Sequence, residues 1–178
     1  MTTDPVHEKT IAAAYLMEAP AQLRESLRKI EHCVDQLSDE QLWWRPTPDQ
    51  NSIANLLLHL SGNVRQWIVS GVGDTADTRD RPSEFIERGP IPRANLLETI
   101  RTALDDACNV ISAAPPETLL EMRRVQGFDV TPLTAIFDST AHFEGHMQEI
   151  ICLTRMQLGD RYRFDWMPTT AEQGAPGP

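Results

Sequence analysis

The sequence has little of what would place it in a membrane, outside the cell or on nucleic acid. No apolar run approaches the roughly twenty residues that a bilayer-spanning helix needs. Residues 1–10 are polar and lack the basic-then-apolar order of a secretory leader, so the expected compartment is the cytosol. Basic charge is in deficit. A formal net charge of −10 argues against the sequence-independent grip on phosphates that nucleic-acid binding requires. Arg79, Arg81, Arg88 and Arg93 do cluster, but acidic residues are interleaved with them, and the stretch reads as a solvated loop. Cysteine is scarce as well. Cys33, Cys108 and Cys152 are far apart and form no Cys-x-x-Cys pair, which removes a disulfide scaffold and a thiolate metal knuckle. Each falls in an apolar helical pattern and is expected to be a buried, reduced thiol.

What remains is an ordinary globular balance. Hydrophobic residues make up 40% and charged residues 24%, enough apolar surface for a core and too little charge for disorder. The 178 residues suit one domain. We place it at 1–166, with 167–178, which contains Pro, Gly and Thr, as a flexible tail.

Four long segments repeat apolar residues at steps of three and four. The first spans about Glu8 to Leu37, with Pro20 expected to kink it or split off a short leading helix. Ser38 and Gln41 have capping-box spacing and start a short turn bearing Leu42, Trp43 and Trp44. The second helix opens at Asn51 or Ser52, reads Ile53 to Val69, and closes at Gly71 and Gly73. A loop of about twenty residues follows, a length that is often functional. The third helix covers about Pro92 to Ala113, and Glu121 to Val130 suits a short hairpin around Gly127. Thr131 and Pro132 open the last helix, which reaches Leu158 before Gly159. The class is all-α, a helix bundle.

Chemistry concentrates on histidine. His142 and His146 are four apart, so their imidazoles lie one turn above the other on one helix face and can share a metal. His59 sits within the apolar run Ile53–Leu60 and is expected to face the interior. Facing helices supply metal ligands in bundle cores in this manner. The competing reading is a set of core histidines satisfied by neighbours. His142-Phe143-Glu144-Gly145-His146 is not the zinc-protease motif, because Glu144 points about 200° away from the pair. Glu149, three after His146 and on its face, suits a fourth ligand, a general base or an acceptor for an imidazole N–H. Asn55 and Asn63 flank His59 at one turn either side, placed to orient the imidazole or a substrate, or only to satisfy buried polar groups. Trp67, a further turn along, reads as packing. Gly145 costs helix stability and suggests close helix approach beside the histidines.

The run from Asn51 to Ile68, the preceding Leu42-Trp43-Trp44-Arg45-Pro46 and the later His142-Phe143-Glu144-Gly145-His146 resemble, in the same order, a DinB/YfiT-like family of bacterial proteins. The resemblance spans roughly Ile30 to Leu158. It implies a four-helix bundle with up-down-down-up connectivity, the long loop after the second helix being the crossover. It also implies one divalent metal ion, zinc or nickel, on His59, His142 and His146, with open positions, and a homodimer. Characterised relatives include thiol-dependent transferases and isomerases. Relatives often carry Gly-Gln after the second histidine of the pair, where this chain has Gln148-Glu149.

Two readings of function follow. In the first, an open three-histidine site serves a metal-dependent enzyme, an S-transferase with a low-molecular-weight thiol as cosubstrate or else a hydrolase acting on a small molecule. In the second, the metal is non-catalytic and stabilises the bundle. A structural site is normally closed by four protein ligands, and no cysteine has the spacing to complete this one.

Overall fold

The apolar periodicities fold as read. The computed structural model describes residues 5–165. Helix α1 covers Pro5–Val34 and runs unbroken through Pro20 rather than splitting there. Ser38 caps the single turn α2 (Asp39–Leu42) with a reciprocal box to Gln41. Ser52, not Asn51, caps α3 (Ile53–Val64), and Asn55 closes the box. The chain then continues as a π-helical stretch, Arg65–Ser70, which the periodicity did not reveal. The expected loop contains a short helix, α4 (Arg81–Ile86). Helix α5 (Arg93–Ala113) follows. An antiparallel hairpin pairs β1 (Arg123–Val125) with β2 (Phe128–Val130), Val125 opposite Phe128. Its turn places Gln126 and Gly127 at positive φ, which a two-residue hairpin loop requires. Thr131 caps α6 (Pro132–Leu158), and Gly159 at positive φ ends it. The tail 167–178 lies outside the described residues.

Side-chain contacts fix the helix directions. Tyr15 reaches the Leu133 carbonyl and Arg28 reaches Asp165, so α1 and α6 run parallel. Arg65 pairs with Asp106 while Gly73 meets Val110, so α3 and α5 run parallel as well. Glu31 meets Arg101 and Pro20 meets Cys108, which sets α1 against α5. The order is up-down-down-up. Two parallel helices in succession need a crossover, and residues 71–92 provide it.

The core lies between the four long helices, where Leu23, Ile30, Leu56, Ile100, Leu104 and Phe143 are fully buried. Burying each such side chain contributes about 1.5–3 kcal/mol, which makes the helix faces rather than the loops the source of stability. Cys33 and Cys108 are buried as expected, but Cys152 is exposed. It sits on the outer face of α6 beside Met156, so its apolar neighbours belong to the surface. No helix among the described residues is long and apolar enough to cross a membrane.

Candidate metal centre

Antiparallel packing of α3 on α6 brings His59 opposite His142, and the four-residue step adds His146. One ligand atom from each of the three lies within 4.8 Å of the others. The Nε2 atoms of His59 and His142 are 2.9 Å apart. His59 is buried, and the other two are half-buried. Burial, with His146 and His59 close by and Arg79 and Arg81 beyond, pushes the His142 imidazole down to about 4. It is therefore neutral near pH 7, the form that donates a lone pair to a cation.

The far-side nitrogens are occupied by carboxylates. His146 Nδ1 donates to Glu149 Oε2 at 2.7 Å, an arrangement that matches one of the three roles open to Glu149. His59 Nδ1 donates to Glu84 Oε2 at 2.9 Å. Such a bond fixes the tautomer, turns Nε2 toward the centre and raises its basicity. Glu84 is itself held. Burial opposes its ionisation, but hydrogen bonds from Arg79 and His59 outweigh this and lower its pKa. Arg79 Nε lies 2.7 Å from Glu84 Oε1, and both side chains are almost wholly buried.

Arg79 and Glu84 come from the crossover, and sequence reasoning missed both. The arginine cluster was expected to be solvated, yet the Arg79 side chain is 4% exposed. Gln66, on the π-helical stretch, accepts from Arg79 Nη1 and donates to Asp77, which ties the crossover down. Gly62 clears the space. A Cβ there would collide with the Glu84 carboxylate and the Arg79 guanidinium. That glycine was the available signal, since one inside a helical run marks close approach. The expectation for Gly145 is reversed. It is exposed, and a Cβ there would meet nothing.

The asparagines separate. Asn55 is fully buried; its Oδ1 accepts from Ser52 and Arg45, and its Nδ2 donates to the carbonyls of Glu84 and Glu87. It thus anchors α4 rather than facing the histidines. Asn63 lines a cavity of about 340 Å³ with His59, His142 and Trp67. Trp67 stacks on Phe128 of the hairpin at 6.3 Å, so it packs and lines the cavity at once. Glu144 turns to α1, where it accepts from Gln22 and Ser26.

The donor set suits a borderline divalent cation. Three imidazole nitrogens converge, two of the rings are backed by carboxylates, and no thiolate is present among them. A family model described as "Protein of unknown function (DUF1572)" matches residues 10–170. The chain belongs to that family. The match takes in all three histidines, Glu84, Arg79 and Glu149, so the whole cluster lies within the family's own extent. No curated protein matches the chain.

Proposed function

We propose that this protein is a divalent-metal-dependent enzyme of DinB/YfiT-like type, with His59, His142 and His146 as the protein ligands. The convergence of three imidazoles within 4.8 Å, with carboxylates on the outward nitrogens of two, carries the reading. Three ligands leave at least one position for water or substrate, whereas a structural site is normally closed by four. Zinc or nickel fits three nitrogens equally well.

When bound, the ion supplies Lewis acidity that lowers the pKa of a coordinated thiol or water toward neutrality. The protein's own groups do the rest. Glu84 and Glu149 hold the imidazoles of His59 and His146 in one tautomer. Arg79 keeps Glu84 ionised in a buried setting. Glu149, 44% exposed, is also placed to take a proton from solvent or substrate at the site's edge. Phe85 of α4 packs on the His59 ring at 4.8 Å and shields that side from water.

The reaction we favour is S-transfer from a low-molecular-weight thiol, which rests on the family resemblance. The same resemblance carries the homodimer and fits a reducing, cytoplasmic setting. Elemental analysis of protein purified without a nickel column tests the metal, with about one zinc or nickel per chain expected. Substoichiometric metal after supplementation overturns the reading. The loaded protein is then offered thiols with electrophiles, and absence of metal-dependent turnover removes the transferase.

A further inference from the structure

A hydroxyl inside a helix ordinarily satisfies itself on the carbonyl four residues back. Ser61, Thr99, Thr140 and Thr154 all do so here. Ser139 on α6 has the same option and does not take it. Its side chain is 2% exposed, and its Oγ has no partner. Across from it on α3, Asn63 Oδ1 is buried and also without a partner. Both residues line the 340 Å³ cavity that holds His59 and His142. An unpaired buried polar atom costs the fold stability, so two lining one cavity call for a partner that enters it.

Charge narrows what that partner is. Arg81 lines the same cavity, its guanidinium 4.9 Å above the Phe85 ring, and makes no ion pair among the described residues. Arg79, in contrast, is neutralised by Glu84. Asp138 also lines the cavity; it and Arg81 are both exposed, so solvent and salt screen the two alike and neither sets the sign by itself. Three neutral imidazoles would leave a bound ion both of its positive charges. An anion is favoured over a neutral or cationic ligand, and the volume suits a small one.

We propose that this cavity is the binding site for a small organic carboxylate that also carries an O–H or N–H group. Arg81 pairs with the carboxylate, Ser139 Oγ–H donates to a ligand oxygen, and Asn63 Oδ1 accepts from the ligand's donor. The proposal rests on the metal reading, because it places the ligand's other end toward His59 and His142.

Calorimetric titration of the zinc-loaded, full-length protein tests it with three probes: glycolate, its neutral counterpart glycolamide, and imidazole as a ligand for the ion alone. Glycolate is expected to bind about tenfold tighter than glycolamide. Arg81→Gln should abolish that advantage while leaving imidazole within about twofold. Ser139→Ala should weaken glycolate about fivefold yet leave Tm unchanged or raised, because it removes an unsatisfied buried hydroxyl. A purely structural serine would show the reverse, a lower Tm with unchanged binding. Equal affinity for glycolate and glycolamide, or equal loss of glycolate and imidazole in Arg81→Gln, overturns the proposal. Metal content is measured on the same samples. Failure to load zinc overturns the metal reading and this one together, whereas a loaded protein that fails the probe comparison overturns this one alone.

Discussion

Glu84 does more at the centre than its place in a polar loop suggests. It accepts from His59 and is clamped by Arg79, with both charges out of water. Removing one partner of a buried pair costs about 3–5 kcal/mol, because the other charge is left uncompensated. Glu84→Ala should therefore lower stability by about that amount and weaken metal binding about 10–100-fold, the range for losing a carboxylate behind a ligating histidine. Denaturant melts and competitive metal titration check both. The pH dependence follows from the direction of the shift. The folded-state pKa lies below the ordinary 4.5, so the pair's contribution is complete above that value. It is lost as the pH falls through the lowered folded-state pKa. Apo wild type should thus lose stability more steeply than apo Glu84→Gln in acid melts below pH 4.5. An equal slope would mean that Glu84 is not ionised in the fold.

Helix α3 carries two conflicts between local preference and the site. Alanine is favoured over glycine within a helix by about 1 kcal/mol, so propensity alone predicts that Gly62→Ala stabilises. The new methyl would instead occupy the space of the Glu84 carboxylate. We expect sterics to win at the site: metal affinity falls about tenfold or more, as when the carboxylate partner is lost. Unchanged affinity with a higher Tm would show that the carboxylate has another place to go. Asn55 sits one turn from His59 but serves the crossover. Asn55→Ala removes its hold on the carbonyls of Glu84 and Glu87 and its part in the Ser52 cap. Each buried group left unpaired costs about 1–3 kcal/mol. The local result should be faster amide exchange and proteolysis across residues 79–87, ahead of α1 and α6.

At the scale of the molecule, an ion on His59, His142 and His146 would bridge α3 and α6, antiparallel neighbours joined through a long stretch of chain. A ligand at one hundred times its Kd adds about 2.7 kcal/mol to stability. For a chain of this size, that corresponds to a Tm rise of about 5–10 °C on loading, reversed by a chelator. His142→Ala should erase the metal-dependent part. A Tm indifferent to metal in wild type would argue that the three imidazoles bind no ion.

The sequence by itself determined the four long helices, most of their caps and the histidines. Apolar spacing, Ser52 and Thr131 as N-caps, and the His142–His146 step are all local, and local geometry is set by residues within a turn or two. His59 was legible because a polar ring in an apolar run has to be used or satisfied. Tertiary structure decided the surroundings. The meeting of Glu84 with His59 joins residues 25 apart, and with it the burial of Arg79 comes from a crossover whose own composition reads as solvated. The two glycines show the difference most plainly. Gly62 and Gly145 are equivalent as letters within a helix, and only the packed neighbour makes one a requirement and leaves the other facing open space. Periodicity specifies which face is buried, but not which charged side chain crosses over to meet it.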